Sequence, residues 1–101
     1  MDIKELTQLM HSFVESKGWY DANSKRPQTA RNIAMSLSIE SAEILEHFQW
    51  REVGYDREEL SGELADVGLY LLQLAAVTGI DLETAIVNKL AKNHQRQWDQ
   101  E

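Results

Sequence analysis

The sequence predicts an all-α protein, a four-helix bundle in one domain spanning residues 1–101. Three observations carry that expectation. Proline occurs once, at Pro27, and glycine is confined to Gly18, Gly54, Gly62, Gly68 and Gly79. Gly18, Gly54 and Gly79 act as breaks, and between them lie segments of helical length, rich in Leu, Ala, Glu, Gln and Met, with apolar residues every three or four positions. No stretch alternates in the manner of a strand, and there is no internal repeat or low-complexity run.

The first helix is expected over about residues 2–17, with Ile3, Leu6, Leu9, Met10, Phe13 and Val14 as its apolar face and Gly18 as its stop. A polar loop, Trp19 to Gln28, follows. Thr29 has the right chemistry to cap a second helix expected to run to about Arg51. Gly54 marks the next break, and Asp56 followed by Glu59 resembles a capping box with Asp in the cap position. The third helix should end near Thr78, before Gly79. Asp81 caps a fourth, from Leu82 to about Gln97.

The third helix is apolar around most of its circumference. Leu60, Leu64, Val67, Leu71 and Leu74 form one stripe, and Ala65, Leu69, Leu72, Ala75 and Ala76 fill much of the rest. Such a helix is buried on more than one side, and four helices cannot easily surround it. A homo-oligomer, a dimer or a tetramer, is the expected solution.

Composition narrows the function classes. With 10 Lys+Arg against 17 Asp+Glu, the net charge is -7. That argues against binding a nucleic acid polymer, which needs a basic surface to displace counterions. The absence of cysteine excludes a disulfide framework, a Cys-ligated zinc, an iron–sulfur cluster and a thiol nucleophile. The charged N-terminal residues do not form a secretory signal, so a cytoplasmic location is expected. The apolar stretch from Leu64 to Ile80 is short of the ~20 residues that span a bilayer and is interrupted by Asp66, so no membrane is expected as a partner.

The chemistry is concentrated in acidic residues. Glu40 and Glu43 are spaced i, i+3 on the second helix, and Glu63 and Asp66 are spaced the same way on the third. Each pair therefore lies on one helix face, one turn apart. Neighbouring helices should bring the four carboxylates together, and like charges at that density need a positive partner. Between Ile33 and Val67 the only Lys or Arg residues are Arg51 and Arg57, near the connection. A hard divalent cation suits an oxygen-only donor set better. Ordinary solvated helix faces would also produce Glu-x-x-Glu, but Asp66 stands nearly alone in an apolar run. A di-iron carboxylate bundle wants Glu-x-x-His pairs, and the residues three before His11, His47 and His94 are Gln8, Ile44 and Ala91. Glu46 reads equally as surface or as an outer neighbour of the cluster, and His47 as a capping or surface histidine.

Glu40-x-x-Glu43 followed by Glu63-x-x-Asp66 resembles the signature of the MazG-like all-α nucleoside triphosphate pyrophosphohydrolases, close to the short dCTP pyrophosphatase-like members. Supporting motifs are Phe48-Gln49-Trp50, Glu63-Leu64-Ala65-Asp66-Val67 leading into Tyr70, and Gly79-Ile80-Asp81-Leu82 opening a helix that carries Lys89 and Asn93. The resemblance covers about residues 5 to 97. It implies hydrolysis of a nucleoside triphosphate to the monophosphate and pyrophosphate, with Mg2+, or Mn2+ as a substitute, held by Glu40, Glu43, Glu63 and Asp66. It implies a base pocket lined by Trp19 and Trp50. It also implies contacts from Tyr70, Lys89 and Asn93 to phosphates or sugar, with Arg31 as a further phosphate ligand. The chain departs from the pattern at Arg96-Gln97-Trp98, where relatives continue with Arg-Tyr-Pro after the asparagine, so Arg96 carries less weight than Lys89.

Spacing alone is more neutral on these roles. Lys89, Asn93 and Arg96 share a helix face, which suits a phosphate-binding stripe and a solvated surface alike. Trp50 after an apolar helix suits core packing as well as base stacking. Glu40 or Glu43 is the expected proton acceptor for an attacking water, without a basis for separating base from ligand. The competing reading is a helical interaction module whose carboxylates hold a structural cation or a basic partner; it would leave nucleotides intact.

Overall fold

A computed structural model describes residues 1–97, and these form four helices, α1 (Ile3–Ser16), α2 (Ala30–Glu46), α3 (Arg57–Val77) and α4 (Leu82–Gln95). Strands are absent among the described residues. Trp98 lies outside them.

Each helix begins on a side chain able to satisfy the orphan amides of its first turn. The Asp2 carboxylate accepts from the Glu5 amide at 2.8 Å, and the Thr29 hydroxyl accepts from Asn32 N–H at 3.1 Å. Asp56 Oδ1 takes the amides of both Glu58 and Glu59, at 2.9 and 3.1 Å, and Asp81 takes that of Thr84 at 3.0 Å. Helices α1 and α3 stop in the same way. Gly18 and Gly79 take φ of 73° and 74°, a left-handed turn that costs glycine little. It lets Trp19 N–H reach back to Val14 O and Ile80 N–H to Ala75 O.

Helix α2 ends earlier than its apolar pattern implies, at Glu46 rather than near Arg51. From His47 onward the backbone tightens into three-residue turns, His47 N–H to Ile44 O and Phe48 N–H to Leu45 O. Phe48 then folds back onto Tyr55 with ring centroids 4.9 Å apart, and Arg51 donates to Gly54 O at 3.2 Å. Side chains that would have extended the helix close the connection to α3 instead. The end of α4 at Gln95, against an expected Gln97, is ordinary fraying.

The extensive helix contacts are α2 with α3 and α1 with α3. Helix α4 makes none of comparable extent, and Ile86, Val87 and Leu90 on it are exposed. The apolar core is correspondingly small: Met10, Val14, Ile33 and Ala75 are buried, and the buried polar residue Gln73 lies among them. The accessible surface is 8294 Å², roughly 2,500 Å² more than a compact monomer of this mass exposes. The radius of gyration is 16.6 Å against about 13 Å for a compact domain of this length. Helix α3 is 21 residues long and, by length and composition, apolar enough to cross a membrane. Its Glu63 clusters with Glu40 and Glu43 of α2, and Asp66 lies one turn away, charges that hydrocarbon would penalise heavily.

Candidate active site

Packing of α2 along α3 brings one carboxylate oxygen each from Glu40, Glu43 and Glu63 within 4.8 Å of one another. All three are half-buried, and Glu40 Oε2 and Glu63 Oε2 have no hydrogen-bond partner among the described residues. Anions sharing a partly dry site repel, and burial and repulsion together show in the proton affinities of Glu40 and Glu63. The Glu40 carboxyl is pushed up from 4.5 to about 7, first by burial and then by Glu43, Asp66 and Glu63. Glu63 is raised as well, mainly by burial and the proximity of Glu43, and this is partly offset by Glu40 hydrogen bonding and by His47. His47 Nε2 lies 3.9 Å from Glu63 Oε1.

Asp66 is the fourth carboxylate of the two i, i+3 pairs. It sits one turn beyond Glu63, exposed and outside the tight triad, and lines the adjoining cavity. Its charge is nonetheless felt at Glu40. The donor set fits a hard divalent cation: it is all oxygen, and two of its buried atoms lack partners. Ligands about 2.0–2.6 Å from such an ion sit up to about 5 Å apart across it, which the observed spacing matches.

Glu40 and Asp66 form one end of a cavity of about 800 Å³, a size that accommodates a small organic ligand. Helix α1 contributes Leu9 and Phe13, the 17–29 loop Trp19 and Arg26, and α2 Asn32, Met35 and Ile39. From α3 come Asp66, Tyr70 and Gln73, spaced i, i+4, i+7 and hence on one face. Trp19 stands edge-on to Phe13, with centroids 5.8 Å apart and planes at 83°. The Arg26 guanidinium lies 5.8 Å from the Trp19 ring centre, a cation–π distance.

Of the residues singled out in the sequence, Glu40, Asp66, Trp19 and Tyr70 meet at this cavity, with Glu43 and Glu63 completing the triad behind it. Arg31, Trp50, Lys89 and Asn93 are not among its walls. Arg31 and Lys89 are exposed, Asn93 is half-buried on α4, and Trp50 is 87% exposed. The sequence reading set Asn32 behind its neighbour Arg31 and passed over Arg26 and Gln73. Gln73 had a signal of the same kind as Asp66, a lone polar residue inside the apolar run Leu71–Ala76. Arg26 had none beyond lying in a polar loop.

Residues 35–101 match the MazG-like family. The chain belongs to that family. Among its relatives, dCTP pyrophosphatase 1 of Rattus norvegicus is 31% identical over 103 residues, covering 93% of this chain and 58% of the relative. The Homo sapiens protein of the same name is 29% identical over the same span. This MazG-like chain thus spans a little over half the length of the curated relatives it matches. A dATP/dGTP diphosphohydrolase of Salmonella phage PMBT28 is 50% identical over 38 residues, covering 38% of this chain and 13% of the relative. Among solved structures, a pyrophosphatase from Archaeoglobus fulgidus DSM 4304 superimposes with a TM-score of 0.72 at 35% identity, covering 91% of this chain and 88% of that one. The fold of that pyrophosphatase is therefore shared along nearly the whole chain.

Proposed function

We propose that this MazG-like protein hydrolyses a (deoxy)nucleoside triphosphate to the monophosphate and pyrophosphate, in a Mg2+-dependent reaction for which Mn2+ can substitute. dCTP or a related deoxynucleotide is the favoured substrate, and cleansing of the nucleotide pool is the role. The observation that carries the proposal is a partner-deficient carboxylate triad at the end of a nucleotide-sized cavity. The names borne by its relatives point the same way.

In this reading Glu40, Glu43, Glu63 and Asp66 hold the metal. The bound ion supplies charge neutralisation for the leaving pyrophosphate and acidifies a water. Glu43 or Glu40 accepts the proton of the attacking water, being close to where it must be generated. Trp19 offers an aromatic face to the base, and Tyr70 lies midway along the cavity for sugar or phosphate. Helix α4 and the exposed apolar face of α3 imply a homo-oligomer, a homodimer or a tetramer of two dimers. The excess exposed surface is of the size that obligate dimers bury. Arg31, Trp50, Lys89 and Asn93 reach substrate in that assembly, where a neighbouring copy contributes part of the pocket.

The test is pyrophosphate release from a panel of deoxy- and ribonucleoside triphosphates, with Mg2+ and with EDTA. Metal-dependent release from one or a few nucleotides is the expected result. Release from none, together with metal-dependent thermal stabilisation, overturns the proposal in favour of an interaction module with a structural cation.

A further inference from the structure

At the end of the cavity away from the carboxylates lies a polar network that the reaction does not need. Gln73 is 3% exposed, and its Nε2 donates to Gln28 Oε1 at 2.8 Å and to the Tyr20 hydroxyl at 3.3 Å. Gln28 Nε2 in turn donates to Arg26 O at 2.7 Å, and Tyr20 OH lies 2.6 Å from His11 Nδ1. An amide side chain can be turned over at no cost to its shape, so its polarity must come from its partners. Here a backbone carbonyl decides it. Arg26 O can only accept, so Gln28 must present nitrogen to it and oxygen to Gln73. Gln73 must then present nitrogen to Gln28, which leaves its own Oε1 as the group without a partner among the described residues.

Gln73 also lines the cavity, on the same α3 face as Tyr70 and Asp66. It lies two turns, about 10 Å, along the helix from Asp66. That separation is comparable to the reach of a nucleotide from its α-phosphate to the far edge of its base. We infer that Gln73 is a specificity-determining residue: its Oε1 accepts a hydrogen bond from an exocyclic amino group on the base, while Gln28 and Tyr20 are positioning residues that prevent the amide from turning over. An oxo group at the same ring position sets two acceptors against each other, so the site selects cytosine or adenine over their oxo counterparts. The inference rests on the hydrolase reading above and adds to it the residue that reads the base.

The test compares kcat/KM within two pairs of substrates related by exchange of the exocyclic amino group for oxo, dCTP against dUTP and dATP against dITP. The pair that responds tells whether a single- or double-ring base is accommodated. The wild-type protein is expected to favour the amino member of at least one pair roughly 10- to 100-fold, the range expected when a site acceptor is left unpaired. In Gln73→Leu that ratio should fall to within a few-fold of parity. Gln28→Leu, which releases the amide to turn over, should lower it as well. Because each ratio is measured on one preparation, loss of folded protein does not move it. If Gln73→Leu does not fold, Gln28→Leu alone decides. Equal use of both members by the wild type, or a ratio unchanged in the variants, overturns the inference while leaving the hydrolase reading intact. Failure to hydrolyse any nucleotide overturns both.

Discussion

Two polar clusters bound the same cavity and differ in how their hydrogen-bonding capacity is met. The carboxylates of Glu40, Glu43 and Glu63 crowd together, two of their buried oxygens lacking partners among the described residues. The amides and hydroxyl of Gln28, Gln73 and Tyr20 are joined in a chain anchored on a backbone carbonyl. The first arrangement is unfavourable by itself and becomes favourable when a cation enters. The second is close to satisfied and leaves one acceptor of defined orientation. A protein tolerates unmet polar groups where a ligand will complete them, and closes its networks where shape must be held.

The largest expected effect comes from breaking the unsatisfied cluster. Glu43→Gln keeps the side-chain volume and the helix but removes a negative charge and a proton acceptor. Pyrophosphate release should fall roughly 100-fold or more, with the far-ultraviolet circular dichroism unchanged. A variant that turned over at the wild-type rate would remove Glu43 from the chemistry.

The same cluster should make the metal-free protein pH-sensitive in an unusual direction. Folding raises the Glu40 pKa from 4.5 to about 7, so the folded state binds a proton that the unfolded state has released. The associated stability is fully present below pH 4.5 and is lost as pH rises through about 7. In EDTA the melting temperature should therefore decline between pH 5 and 7.5. Saturating Mg2+ should reverse the trend, because it binds the deprotonated cluster. Glu40→Gln should raise the melting temperature of the metal-free protein at pH 7.5 and abolish the gain from Mg2+. A flat pH profile in EDTA would mean the carboxylates do not burden the fold.

Breaking the closed network should do less. Tyr20→Phe removes the hydroxyl that accepts from Gln73 and contacts His11. Chemical denaturation should show a loss of about 1–2 kcal/mol, the usual cost of unmaking a part-buried hydrogen bond. The stabilisation by Mg2+ should persist. Loss of the Mg2+ response in this variant would show that the two clusters are not independent.

Much of this was legible in the sequence, for identifiable reasons. Asp2, Thr29, Asp56 and Asp81 cap helices because cap chemistry is local, and Gly18 and Gly79 end helices because a left-handed turn is local too. The carboxylate pairs were visible as two i, i+3 spacings. What was not legible depended on distant partners. Helix α2 stops at Glu46 because Phe48 meets Tyr55 and Arg51 meets Gly54 across the connection. Asp66 lines the cavity beside the triad, although its spacing from Glu63 is the same as that of Glu43 from Glu40. Gln73 acquires its meaning from Gln28 and Tyr20, both far away in the chain.

The smallest expected effect separates local from distant determinants. Thr29 caps α2 through one hydrogen bond to Asn32 N–H, and Asn32 also donates from its side chain to Pro27 O at 2.9 Å. Thr29→Ala removes only the first of these, so about 1 kcal/mol of stability should be lost. Because Asn32 lines the cavity, fraying of this turn would also loosen the cavity wall. If the Asn32 to Pro27 bond suffices to hold the turn, KM for the preferred nucleotide will stay at its wild-type value while the denaturation midpoint drops. A rise in KM alongside the stability loss would instead assign Thr29 to the architecture of the pocket as well as to the helix it opens.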